Sequence, residues 1–256
     1  MTALRDPITK QQAPVDAPRR RWWTGAAVAI VAGAVALVAN SPWLSVSEIE
    51  VVGSIRSETR TRIAASGVGE GALLLWVDTG AIERAVRADP WVRDARVSTV
   101  WPDRLVVEVA EHRPLLWIEG ILGWMLVAAD GTVVDRAAEP EAGLLRASVA
   151  LPDVEPGVRP ADPGWHEIVQ MALVVEDALG GTMFLEMRGA EMWTEVLGHP
   201  VRLGHPIDLA DKARTLLAMI GQQLPAGAVI DVTSPSRPAL TAVDPGGEVE
   251  GSDEES

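Results

Sequence analysis

No cysteine and no tyrosine occur among the 256 residues, and phenylalanine appears once, at Phe184. Without thiols there is no disulfide framework, no cysteine nucleophile and no thiolate metal site, which suits a reducing or an oxidising compartment equally. Lysine is nearly missing too, with Lys10 and Lys212 the only two. Ten tryptophans make up almost all the aromatic content. The preference for Trp and Arg reads as a bias toward GC-rich codons and carries no functional signal. Basic charge is scarce beyond the start of the chain. Residues 1–21 hold Arg5, Lys10, Arg19, Arg20 and Arg21 against Asp6 and Asp16, leaving 17 basic and 34 acidic residues in the remainder. Phosphate binding needs the opposite sign, so nucleic acid is excluded as a partner of that remainder, and its acidity serves solubility.

Catalytic patterns are equally thin. The four histidines, His112, His166, His199 and His205, do not stand at the spacing that puts two metal ligands on one helical face. His199 and His205 flank a strand, but each lies beside or near a proline in a turn. Neither a Gly-x-Ser-x-Gly elbow nor a Ser-x-x-Lys pair is present. Gly67, Gly69 and Gly71 follow a helical pattern and precede an apolar run, an order that fits a flexible turn and not a dinucleotide loop. Glu176 and Asp177 are helical neighbours that face different ways, so both are expected in solvent. The sequence assigns no catalytic, metal or cofactor-binding residue, and the chain reads as a non-enzyme.

What is present begins with "RRRWWTGAAVAIVAGAVALVANSPW". Trp22 to Ala39 are 18 residues without a charge, which as a helix span roughly 27 Å, enough for a hydrocarbon core. The three preceding arginines hold residues 1–21 in the cytoplasm by the positive-inside rule, and Trp22, Trp23 and Trp43 suit the interfaces. The competing reading is a cleaved signal peptide, for which Ala34-Val35-Ala36 offers a small-residue site. Gly25, Ala29 and Gly33 recur every four residues, a face on which another helix could pack.

Beyond Asn40-Ser41-Pro42, "VSEIEVVGS" alternates as a strand. A helix is predicted from Ser57, which caps it, to Gly67. A second runs through "DTGAIERAVRADP", capped by Asp78 or Thr79, with Ile82, Ala85 and Val86 inward and Pro90 as its stop. Two strands follow, joined at Trp101-Pro102-Asp103, the second placing Leu105, Val107 and Val109 on one face. At that corner proline presets the turn and tryptophan is expected to cover the end of the core. The order strand, helix, helix, strand, strand makes a compact α+β unit, whose helices must cover one face of a small sheet.

Later segments are strand-rich. "LLWIEG", "GWMLVAADGTVVDR" and "LLRASVALPDV" carry short apolar runs, with Asp130-Gly131 as a hairpin turn. Asp162-Pro163 starts a helix that turns Ile168, Met171, Ala172 and Val175 inward and stops at Gly180-Gly181. "TMFLEMRG", "EMWTEVLG" and "PVRLG" are strands. "DLADKARTLLAMIGQQLP" is a helix burying Ala213, Leu216, Leu217 and Ile220, and "AVIDVTS" and "PALTAV" close the ordered chain as strands. Six acidic residues and no basic ones from Asp244 to Ser256 predict a disordered tail.

Taken together, "IEVVGS", "ALLLWVD" and "ADPWVRDARVSTVWPDRLVVEVAEHRP", in that order behind a basic head and a single apolar span, resemble the POTRA module of the FtsQ/DivIB family of bacterial division proteins. The resemblance implies a 1–21 cytoplasmic segment, a 22–40 transmembrane helix, a 41–112 POTRA domain, a 113–243 β domain with two helices, and a 244–256 tail. It implies a single-pass protein of the cytoplasmic membrane with its bulk outside, sited at the division septum. It further implies a scaffold that binds an FtsB/FtsL-like complex through the last β strand, here Pro238, Ala239, Leu240, Thr241, Ala242 and Val243, with Val229 to Val232 beside it. That segment has no aromatic anchor, and Pro238 removes a ladder donor, so the implied contact is one of backbone pairing. Two alternatives belong to other classes: a POTRA-containing outer-membrane assembly or secretion factor, and a membrane-anchored extracytoplasmic hydrolase.

Overall fold

The computed structural model describes residues 17–39, 45–53, 56–65, 72–222 and 224–241. The predicted stop at Asn40–Pro42, Trp43, the glycines from 67 to 71, Ala242, Val243, the acidic tail and most of the cytoplasmic segment lie outside the described residues.

Helix α1 spans Ala17–Ala39. Every side chain described in it, from Trp23 to Leu37, is exposed, and the apolar residues lie all round it. The expected 22–40 transmembrane span runs past the side chains described, Trp23 to Leu37, and among the described residues no helix is long and apolar enough to cross a membrane.

The next elements are β1 (Glu48–Val52), α2 (Ser57–Ala65), a single 3-10 turn at Leu74–Trp76, α3 (Thr79–Arg87), β2 (Val92–Val100) and β3 (Arg104–Glu111). They form a three-stranded sheet in the order β1-β3-β2, in which β1 runs parallel and β2 antiparallel to β3. Asp78 caps α3 by accepting from the Ala81 amide at 2.9 Å. Ile82 and Val86, one helical turn apart, point into a core that includes Leu105, Val107 and Val109. Two expectations fail here. Ala85 is exposed, because so short a helix touches the sheet along one narrow stripe. Trp101 is 58 % exposed and covers no core, because its corner projects past the ends of the strands.

A second, nine-stranded sheet follows, built from β4 (Pro114–Gly120), β5 (Gly123–Ala128), β6 (Val133–Ala137), β7 (Leu145–Ser148), β8 (Phe184–Arg188), β9 (Glu191–Val196), β10 (His199–Gly204), β11 (Val229–Asp231) and β12 (Ala239–Thr241). Its order is β12-β11-β10-β9-β8-β7-β4-β5-β6. The parallel pairs β7/β8 and β10/β11 each need a crossover, supplied by α4 (Pro163–Leu179) and α5 (Leu209–Ile220). Asp162 caps α4 through the Trp165 amide at 3.1 Å, and Pro163 takes the first turn. Ile168, Met171, Ala172 and Val175 are all buried as the periodicity requires. On α5, Ala213 and Leu216 are buried while Leu217 and Ile220 are half-buried at the rim. The whole is α+β: a small three-stranded sheet with two helices, then a large mixed sheet with two more.

The two sheets meet at Trp91. It is 5 % exposed and packs with Trp117, Leu126, Ala128 and Val134 of the second unit. Its Nε1–H donates to Asp135 Oδ2 at 3.3 Å, and the Arg56 guanidinium lies 3.6 Å over its ring.

Candidate partner-docking edge

The last strand, β12, forms one margin of the nine-stranded sheet. It pairs antiparallel with β11, with Val229 opposite Thr241, Ile230 opposite Leu240 and Asp231 opposite Ala239. Pro238, Ala239, Leu240 and Thr241 are all exposed, and none carries a charge. An edge strand leaves alternate N–H and C=O groups on its outer side, so this margin can accept one more strand.

Local chemistry sets where the margin lies. Asp231 Oδ1 accepts from the Thr233 amide at 2.9 Å, which starts the turn after β11. The Arg237 amide closes on the Ser234 carbonyl at 3.0 Å, and Thr215 Oγ1 of α5 donates to the Pro235 carbonyl at 3.3 Å. The turn is thereby tied to the helix behind the sheet. Gly204, at the end of β10, has φ +69°, and a Cβ there would stand 2.7 Å from Thr233 Cγ2. Any other residue would have to displace the Thr233 side chain and adopt a positive φ that favours glycine.

An ion cluster holds the three strands behind the margin. Arg202 on β10 gives Nε and Nη2 to Glu191 of β9 at 2.8 and 2.5 Å, and Nη1 to Asp231 of β11 at 3.3 Å. Hydrogen bonding to Arg202 lowers the Glu191 pKa. The Asp231 pKa is lowered as well: burial opposes the shift, and the bonds from Thr233 and Arg202 outweigh it. None of these three was singled out in the sequence, where they stand 11 and 29 residues apart. The alternation of β9 and β10 puts Glu191 and Arg202 on neighbouring strands, but nothing local assigns the register.

Lys212 was also missed. It is 2 % exposed, its Nζ donates to the His205 carbonyl at 2.7 Å, and burial lowers its pKa. Glu176 corrects an expectation: it is half-buried and bonded to Arg113, while Asp177 is exposed. Pairing across 63 residues decides this, and helical spacing gives no sign of it.

The histidines are dispersed in bonding. His112 Nδ1 faces Asp130 Oδ2 at 3.2 Å, and His199 Nδ1 lies 3.1 Å from the Ala228 carbonyl. Among the described residues no group of three or more His, Asp or Glu is placed to hold a metal. A cavity of about 650 Å³ lies between the β5–β6 turn and the start of α4, and Asp130, Asp162, Trp165 and His166 are among its lining residues. Its carboxylates are committed to structure. Asp130 holds the Thr132 amide at 3.2 Å, and Asp162 caps α4.

The family described as POTRA domain, FtsQ-type matches residues 44–112. The chain is 28 % identical over 237 residues to the cell division protein FtsQ of Streptomyces bingchenggensis, covering 88 % of this chain and 87 % of that one. It is 29 % identical over 228 residues to FtsQ of Streptomyces venezuelae, covering 82 % and 79 %. A shorter match, 34 % over 122 residues, relates it to FtsQ of an Anaeromyxobacter species, covering 46 % and 41 %.

Proposed function

We propose that this chain, which belongs to the FtsQ/DivIB family of cell division proteins, is a non-catalytic scaffold of the division machinery. It is held in the cytoplasmic membrane by α1, with residues 1–21 inside and the two sheets outside, at the septum. The exported part divides at about residue 112 into the POTRA domain and the β domain. The anchor reading is supported by the charge-free run from Trp22 to Ala39 and by exposed Val28, Ile30, Val31, Val35 and Leu37, a helix surface that water disfavours.

The scaffold joins early cytoplasmic division components to the wall-synthesis apparatus by capturing an FtsB/FtsL-like complex on its last strand. The observation that carries this reading is the position of β12: an uncharged, exposed margin held in place by the Arg202 cluster and the Thr215 tie. Backbone pairing supplies the affinity in such a contact, and Leu240, 46 % exposed, offers the apolar side chain.

The direct test is capture of the purified FtsB/FtsL-like pair by the full chain. Leu240→Pro removes an amide from the ladder and Leu240→Asp adds an unpaired charge, and each should weaken capture by at least tenfold while leaving the circular dichroism of the sheet unchanged. Unaltered capture by both variants would mean that the last strand is not the docking edge. In cells, depletion should produce filaments without septa.

A further inference from the structure

Four apolar side chains at one end of the small sheet lack any role in its core. Trp76 is 72 % exposed, Trp101 58 %, Leu75 52 % and Val100 41 %. They come from two segments, the 3-10 turn before α3 and the β2–β3 corner. Hydrogen bonds place both segments beside the start of β1. The Val46 amide donates to the Ala72 carbonyl at 2.9 Å, Ser45 bridges Leu73, and the Ser47 amide donates to the Asp103 carbonyl at 2.9 Å. Glu83 of α3 reaches the Val97 amide at 3.0 Å, so the start of α3 and the Leu75–Trp76 turn before it lie toward the Val100 end of β2.

That same end is the one tethered to α1. Ala39 ends the helix and Ser45 is already bonded into the module. The six steps between them reach at most about 20 Å. At the other end β3 stops at Glu111 and leads within three residues into β4, so the second unit lies away from the tether. Isolated exposed leucines need no explanation, but two exposed tryptophans at the tethered end of the sheet match the preference of the indole ring for the headgroup level.

We propose that Leu75, Trp76, Val100 and Trp101 lie in the headgroup layer of the membrane that holds α1, as a second, non-spanning lipid contact that fixes the tilt of the POTRA module. This inference rests on the anchor reading above. The neighbouring charges favour an apolar contact over attraction to anionic lipid. Asp103 is bonded to Ser47, Asp78 caps α3, and Glu48 and Glu50 outnumber their partner Arg104. Anionic headgroups would be repelled, so the contact forms on zwitterionic lipid.

The absence of native cysteine makes any introduced one a unique label. Full-length protein reconstituted in phosphatidylcholine vesicles would carry an environment-sensitive fluorophore at Leu75→Cys or Val100→Cys. Ala29→Cys reports on the anchor, and Ile121→Cys, 90 % exposed in the second unit, serves as the aqueous reference. Lipids spin-labelled near the headgroup should quench the Leu75 and Val100 positions several-fold more than Ile121 in phosphatidylcholine, and added phosphatidylglycerol should lessen that quenching. Lipids labelled deep in the acyl chain should quench Ala29. Trp76→Ser with Trp101→Ser should abolish quenching at Val100→Cys, and hydrogen exchange of β2 and β3 checks that the hairpin persists. Trp76→Ser alone, on the exposed turn, should halve it and keeps the test open should the double variant lose its hairpin. Quenching at Leu75 and Val100 no greater than at Ile121, with Ala29 deeply quenched, overturns the proposal and leaves the anchor intact. An unquenched Ala29 sinks the anchor reading, and the proposal with it.

Discussion

Arg202 links three strands with one side chain, and its effect on stability has a defined sign. Glu191 titrates below the ordinary carboxylate range in the fold because Arg202 bonds its charged form. The unfolded chain therefore takes up that proton at a higher pH than the folded one. The stabilisation is present above the ordinary carboxylate pKa and is lost as pH falls through the depressed folded value. Glu191→Gln should have a lower Tm than the parent at neutral pH, and the two should converge on acidification, as thermal melts across an acid series will show. Parallel melting curves at all pH values would mean that the pair is too exposed to matter, since the side chains are 39 % and 32 % accessible. None of this was legible in the sequence. Lys212 differs: its helical neighbours Leu209, Ala213 and Leu216 place it on the inward stripe, and what the sequence does not show is the His205 carbonyl that receives its ammonium there.

Elements were far more readable than contacts. Helix α4 shows why: its cap, its first-turn proline and its four inward positions depend on residues no more than one or two turns apart. Asp162→Ala should cost about 1 kcal/mol, read as a shift of the urea midpoint at unchanged slope, because the Trp165 amide loses its acceptor. The hairpin of β2 and β3 was equally legible, with Leu105, Val107 and Val109 buried on one side. Reading failed where an element's end projects beyond its neighbours. Trp101 looked like a lid on the core and is instead exposed, since a corner residue's surroundings depend on how far the next layer extends.

On the scale of the molecule, the joint between the sheets rests on Trp91, which follows Pro90 in the small unit and is buried against Trp117 and Leu126 in the large one. Replacing such a side chain with alanine removes about 3–5 kcal/mol from a contact that belongs to both units. Trp91→Ala should therefore separate one cooperative urea transition into two, with hydrogen exchange in β2 and β3 rising before that in β4 and β5. A single transition in the variant would show that the Arg56 stack and the Glu111–Pro114 connection suffice for coupling. Such coupling bears on the proposed role, because a scaffold that positions an edge strand relative to a membrane needs a stiff joint between them.

The order and type of most elements, the caps at Asp78 and Asp162 and the inward face of α4 followed from the sequence alone, because each depends on dihedral preferences and on side chains within a few positions. The order of the nine strands, the placing of β12 at the margin, the burial of Lys212 and the joint at Trp91 were decided by tertiary structure. Each depends on segments distant in the chain, such as Trp91 with Asp135 across 44 positions and Arg202 with Asp231 across 29. Local periodicity states which face of a segment turns inward, and the partner that meets that face is chosen by packing of the whole chain.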